Sequence, residues 1–185
     1  MEEHKMLAQA IGFAAMKHAG QVRRDGTPYI YHPLSVAELL KNYGFGIKYQ
    51  IVAILHDVLE DTDATEDEIR IYGEDVLESV KLLTRPKGMD EEVYVSNILK
   101  NQMASVVKNA DKIHNMWGIA WCDDKKWGNK YIGKAKKYYG NKFSYALDLN
   151  IDIAQKLLVG EKLIQRGQDF TIEDMRLYSE TDCNE

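Results

Sequence analysis

Ile51-Val52-Ala53-Ile54-Leu55-His56-Asp57-Val58-Leu59-Glu60-Asp61 is the stretch on which the reading of this chain turns. An unbroken apolar run leads into an imidazole and a carboxylate, and two more carboxylates follow within one helical turn. A segment that starts near Lys48 and is apolar almost all round reads as a central, buried helix. Burying His56 and Asp57 there costs several kcal/mol unless a partner compensates. Two partners fit the pair taken alone. One is a divalent cation, which binds neutral imidazole and carboxylate together. The other is a salt bridge to Asp57 beside a hydrogen-bonded core histidine. The neighbours add weight to the cation. At ~100° per residue, His56, Asp57, Glu60 and Asp61 project within an arc of about 140°. Like charges crowded on one side of a helix need a cation or a retained proton. The competing reading makes Glu60 and Asp61 an exposed helix end, but carboxylates at a helix C-terminus oppose its dipole. The pattern therefore reads as a metal site with a second acidic pair for acid–base work.

Outward from this segment the spacing is helical throughout. Leu7, Ala10, Ile11, Ala14 and His18 mark a first helix with one buried stripe. Gly20 to Pro28 reads as a loop with Asp25-Gly26 as its turn. His32 precedes Pro33, a residue well tolerated at a helix start, and a second helix runs from there to near Gly44. Thr65-Glu66-Asp67-Glu68 has capping-box spacing and should open a further helix that stops at Gly73. Val76 to Leu83, Glu91 to Lys100 and Met103 to Trp117 read as helices, with Arg85-Pro86-Lys87-Gly88 as a break. Lys130 to Gln165 reads as one long helix or a pair, and Thr171 as the cap of a last short one. Strand alternation is scarce and no internal repeat is visible. The expected class is all-α.

Length and composition narrow the function. At 185 residues, 45% hydrophobic and 29% charged, the chain suits one globular domain, expected over 1–178, with a polar tail over 179–185. A net charge of -5 argues against a nucleic-acid partner, whose binding needs clustered cations. With two cysteines, Cys122 and Cys183, a disulfide framework is not expected. No apolar stretch approaches membrane-spanning length. The start, Met1-Glu2-Glu3-His4-Lys5, lacks the pattern of a signal peptide. The cytosol is the expected location, with no membrane partner.

Three separated motifs carry a resemblance. Gln21 to Leu34, reading QVRRDGTPYIYHPL, resembles the opening motif of Rel/SpoT-type alarmone hydrolases, a branch of the HD superfamily. Leu55 to Thr62, LHDVLEDT, resembles that family's central motif, and Asn109 to Met116, NADKIHNM, its third. Order and spacing match as well, over most of residues 1–150, and the size resembles that of the small stand-alone members. The resemblance implies a single-domain HD-type helical bundle of about eight to ten helices. It implies that His32, His56, Asp57 and Asp111 hold one divalent metal ion, manganese in that family, and that Glu60 and Asp61 activate and position water. Arg23, Arg24 and Asn115 fall on nucleotide-contacting positions. The implied reaction removes pyrophosphate from the 3′ position of guanosine tetra- or pentaphosphate, leaving GDP or GTP.

Elementary chemistry agrees with these roles. Three or four N/O ligands leave open positions for water and a phosphate oxygen, and adjacent guanidinium groups suit phosphate or a base. A solvated loop pair is the competing reading for Arg23 and Arg24. His18 reads as a packing residue or one that supports a ligand from behind, His114 as a plain hydrogen-bonding residue with such a supporting role as the competing reading, and His4 as exposed. After Asn115 the chain departs from the family, with Met116-Trp117-Gly118 where a basic residue and a small hydroxyl residue often stand. Trp117, Trp121 and Trp127 are candidates to stack on a base, with core packing as the competing reading. The departure puts the guanine preference in question. The alternatives are an HD phosphohydrolase for another nucleotide (an adenosine alarmone, NADPH or a 5′-mononucleotide) and a catalytically silent nucleotide-binding module.

Overall fold

Apolar residues at three- and four-residue spacing become α1 (Glu2–Lys17) and α2 (Tyr31–Asn42), and the apolar run becomes α3 (Ile47–Leu55). The computed structural model describes residues 2–120 and 122–160. The chain divides into two compact units, Met1–Lys108 and Asn109–Glu185. In the first, α3 is the core element, packed against α1 and α2, with every residue from Gln50 to Leu55 buried. Ile51, Val52 and Leu55 have no exposed surface. Each such side chain contributes about 1.5–3 kcal/mol relative to leaving it in water.

The expected single helix from Lys48 through Asp61 is interrupted. Regular α-helix ends at Leu55 and resumes as α4 (Val58–Asp61). Between them His56 stays helical (φ -59, ψ -31), while Asp57 relaxes to φ -106, ψ -2, in the sparsely populated bridge region where active-site residues often sit. A local cause is visible. His56 Nδ1 lies 2.7 Å from the Ala53 carbonyl, the oxygen that an uninterrupted i→i−4 ladder would assign to the amide of Asp57.

The remaining helices of this unit follow the sequence closely. Thr65 caps α5 (Glu66–Arg70) with a complete capping box, satisfying two amide donors that the helix end would otherwise leave unpaired. The turn after α5 closes at Gly73, whose φ of +121 favours glycine. Helices α6 (Glu74–Leu83) and α7 (Glu91–Leu99) flank the expected break, and Asp90 caps α7 through the amides of Glu92 and Val93. Helix α8 (Gln102–Ala120) runs from the first unit into the second.

The second unit contains α9 (Lys125–Tyr138) and α10 (Tyr145–Leu158), so the expected long helix or pair is a pair. Asp124 and Ser144 cap them, accepting from the amides of Trp127 and Leu147. A Cβ on Gly128 of α9 would meet Leu158 Cδ2 at 2.9 Å, so the two helices pack closely at this glycine. The expected cap at Thr171, the end of the long pair at Gln165, Trp121, Cys183 and the polar tail lie outside the described residues. Among the described residues no strand forms beyond an isolated bridge between Val22 and Pro28, and no helix is long and apolar enough to cross a membrane. The fold is all-α.

Candidate metal centre and active site

Packing of α2 on α3 brings the first turn of one against the end of the other. His32 and His56 meet there with ring centroids 5.2 Å apart, and both are almost wholly buried. A carbonyl oxygen only accepts, so the 2.7 Å contact to Ala53 fixes the proton of His56 on Nδ1. The other nitrogen, Nε2, is then the one turned toward Asp57, whose Oδ2 lies 2.9 Å away. That same oxygen is 3.9 Å from His32 Nε2. One donor atom from each of His32, His56 and Asp57 falls within 4.8 Å of the others, close to the spacing of ligands held at about 2.0–2.2 Å from one ion. A lone pair facing a carboxylate oxygen at hydrogen-bond distance calls for a positive charge between or upon them. Two imidazoles with one carboxylate suit a borderline divalent cation, and the donor set fits one.

The Asp57 carboxylate is also held from behind. The Tyr29 hydroxyl donates to its Oδ2 and lies 3.5 Å from Asp61 Oδ2. Such support would fix the orientation of a carboxylate that took part in holding a metal. The tyrosine ring packs against His18 and His32, with centroids at 4.7 and 5.9 Å.

Glu60 and Asp61 stand on α4, downstream of the interruption, and both are exposed. The helical arc anticipated for them alongside His56 and Asp57 is therefore not one of a continuous helix. Glu60 Oε2 accepts the backbone N–H of Arg85 at 2.9 Å, which ties it to the loop before α7. Asp61 is held by its own main chain: Asp57 O accepts its amide and its carbonyl accepts from Gln21 Nε2 at 2.8 Å. Although the residue as a whole is exposed, its carboxyl loses part of its hydration to the groups around it, which pushes it above the usual carboxylate range. The charges of Asp57 and Glu60 push it further, and His18 and the Tyr29 hydroxyl oppose them. A carboxyl raised in this way takes up a proton more readily than an ordinary one.

Arg23 and Arg24 lie in the loop before α2, Arg23 half-buried and Arg24 exposed. The loop is pinned by Arg23 N to Thr27 O at 2.8 Å and by Asp25, which accepts from both the amide and the hydroxyl of Thr27. The remaining residues anticipated for the site belong to the second unit. Asp111, on α8, is 4% exposed and accepts from Asn115 Nδ2 at 2.6 Å, one helical turn on. His114 meets Trp117 edge-on at 5.8 Å. Trp117 is 45% exposed, with its Nε1 donating to Asn150 at 2.7 Å, so it is not a core residue. Trp127 is half-buried against Tyr131, and His4 is exposed as expected.

Three participants were not assigned from sequence: Tyr29, Gln21 and the backbone of Arg85. Tyr29 and Gln21 lie within the opening motif and carry polar groups next to a turn, which is the signal that was available for them. The N–H of Arg85 has no signal in sequence, because every residue but proline has one.

Comparison with known proteins gives a consistent family. The model of the HD domain matches residues 10–128. Guanosine-3′,5′-bis(diphosphate) 3′-pyrophosphohydrolase MESH1 of Danio rerio is 31% identical over 172 residues, covering 88% of this chain and 94% of that one. The protein of the same name from Xenopus tropicalis is 36% identical over 138 residues, 69% of this chain and 76% of that one. GTP pyrophosphokinase rsh of Brucella suis is 35% identical over 134 residues, of which 65% of this chain matches only 18% of that much longer protein. A solved structure of a metazoan ortholog of SpoT that hydrolyses ppGpp aligns with a TM-score of 0.61 at 24% identity, covering 81% of this chain and 93% of that one, and it shares the fold. The span matched by the family model takes in His32, His56, Asp57 and Asp111, and the chain belongs to the HD domain family.

Proposed function

We propose that the protein is a metal-dependent hydrolase that removes pyrophosphate from the 3′ position of guanosine tetra- or pentaphosphate, leaving GDP or GTP. One observation carries this: His56 Nε2, with its proton fixed on the opposite nitrogen, faces Asp57 Oδ2 at 2.9 Å beside His32, next to two further carboxylates. The relatives named for this reaction, 31% and 36% identical over most of the chain, support the substrate. Asp111 is proposed as a fourth ligand on the strength of its motif and its burial. Manganese is proposed as the ion and the cytosol as the location. No nucleic acid or membrane is invoked as a partner, and residues 1–178 are taken as one functional domain.

A bound divalent cation supplies positive charge to the phosphate oxygens and so favours attack at phosphorus. The protein does the rest. Arg23 and Arg24 provide fork-shaped donors for the phosphates, and Asn115 contributes an amide to the nucleotide. Glu60 and Asp61 orient a water molecule and take its proton as its oxygen bonds to phosphorus. The bond from phosphorus to the 3′ oxygen breaks, and that oxygen gains a proton as pyrophosphate leaves. Asp61, whose Oδ2 lies 3.5 Å from the Tyr29 hydroxyl that also holds Asp57, is assigned to receive the first and return it.

The test is a nucleotide panel with purified protein and manganese. Release of pyrophosphate, not orthophosphate, from ppGpp is expected, and EDTA should stop it. No turnover of ppGpp beside fast turnover of an adenosine alarmone, NADPH or a 5′-mononucleotide would overturn the substrate. Full metal loading without turnover of any nucleotide would overturn the enzyme reading.

A further inference from the structure

One run of contacts in the first unit reaches Asp57 and Asp61 from behind, away from the reacting atoms. It begins at His18, just past α1 and 3% exposed. Its Nδ1 lies 2.8 Å from Gln21 Oε1, and Gln21 Nε2 donates to the Asp61 carbonyl at 2.8 Å. Since that carbonyl only accepts, the nitrogen end of the amide is turned to Asp61 and its oxygen end to His18. His18 Nδ1 therefore carries the proton. Its Nε2 is buried and without a hydrogen-bond partner among the described residues. An unpaired buried polar atom costs stability, a cost that phenylalanine would avoid. What the imidazole alone supplies is the N–H that orients Gln21.

The chain then doubles back. Tyr29 N donates to Gln21 O at 2.9 Å, the tyrosine ring lies over His18 with centroids 4.7 Å apart, and its hydroxyl donates to Asp57. Both halves of the acidic machinery are thus tied to one patch of the opening motif, Asp57 through its side chain and Asp61 chiefly through its main chain, with its Oδ2 3.5 Å from the Tyr29 hydroxyl.

We propose that His18, Gln21 and Tyr29 are positioning residues: Tyr29 sets the rotation of the Asp57 carboxylate so that Oδ2 faces the two imidazoles, and His18, acting through Gln21, fixes the backbone from which Asp61 reaches the substrate. The proposal rests on the roles given above to Asp57 and Asp61. It divides the three by what they control. Tyr29 governs metal affinity, while His18 and Gln21 govern turnover without touching the metal.

Tyr29→Phe, His18→Phe and His18→Asn separate these effects. Manganese affinity is measured by calorimetry on metal-stripped protein, and kcat and KM with ppGpp at saturating manganese. Tyr29→Phe is expected to weaken manganese binding about 10–100-fold, the usual effect of losing a group that supports a ligand. His18→Phe keeps a ring but loses the donor. It should leave manganese affinity unchanged and lower kcat by about 10–100-fold, with KM little altered, as for a small displacement of a reacting group. His18→Asn places an amide N–H where Nδ1–H stood and should restore most of the lost kcat. If His18→Phe fails to fold, Gln21→Met carries the same expectation, since it removes both bonds of the amide. Manganese binding by Tyr29→Phe at the parent's affinity would overturn the proposal. So would His18→Asn as slow as His18→Phe when both melt like the parent. A parent protein that binds manganese but leaves ppGpp intact would refute the substrate proposed above, while the manganese affinity of Tyr29→Phe would still decide for or against the positioning role.

Discussion

Replacing Asp57 with alanine tests the metal centre most directly. Asp57 is the one anion among the three gathered donors, and its Oδ2 is the atom that faces both imidazoles, at 2.9 and 3.9 Å. Without it, the two imidazole nitrogens and the proposed Asp111 ligand lose the one anion that faces both rings, and the site should no longer hold a hard or borderline cation at micromolar concentration. A ligand that binds only the folded state at 100 times its Kd adds about 2.7 kcal/mol of stability. For a chain of this size each kcal/mol moves Tm by about 2–4 °C, so manganese should raise the parent's Tm by about 5–11 °C. The metal-free variant should stay folded, because its direct loss is the acceptor of the Tyr29 hydroxyl, worth about 1 kcal/mol. The assay is a thermal melt of EDTA-stripped protein with and without manganese, paired with metal analysis. Asp57→Ala should show almost no manganese-dependent shift. A variant that retains the full shift, or purifies with a full complement of metal, would refute the assignment.

Glu60→Gln should keep the metal, yet slow turnover by ~10²-fold or more, as for a lost acid–base group; unchanged kcat would remove Glu60 from the chemistry. The raised Asp61 carboxyl gives a stability signature in metal-free protein. The folded state holds this proton more tightly than the unfolded chain, so the associated stability is present at low pH and is lost as pH rises from the ordinary carboxylate range through the raised value. Asp61→Asn should flatten that part of the pH–stability curve, and an identical curve for parent and variant would contradict the shift. Thr65→Ala removes the capping box of α5 and should cost about 1 kcal/mol. Denaturant melts will show it, and a variant as stable as the parent would mean the cap is energetically idle.

Local physics made much of this molecule legible before any coordinates. Thr65 and Glu68 announced a helix start because a cap is written in neighbouring residues, and both of its bonds form. The apolar run of α3 announced its burial because no face of it suits water, and it is buried from Gln50 to Leu55. The interruption at His56 and Asp57 was not legible. It arises where a side chain competes with the backbone for the Ala53 carbonyl, a rivalry that helical periodicity does not register.

For the site, residue types pointed to a metal at His56 and Asp57, since a buried imidazole and carboxylate need a partner, while His32 and Asp111 joined them only through the family resemblance. That His32 lies beside His56 was decided by the packing of α2 on α3, because residues distant in the chain meet only through the tertiary contacts that fold it. The same packing revealed Gln21 beneath Asp61 and Tyr29 beneath Asp57. Sequence by itself determined which groups this protein has and which of its segments are helices. Only the three-dimensional arrangement decided which proton His56 keeps and which atoms hold the acidic pair in place, because hydrogen bonds depend on distance and direction, and neither is carried by order along the chain.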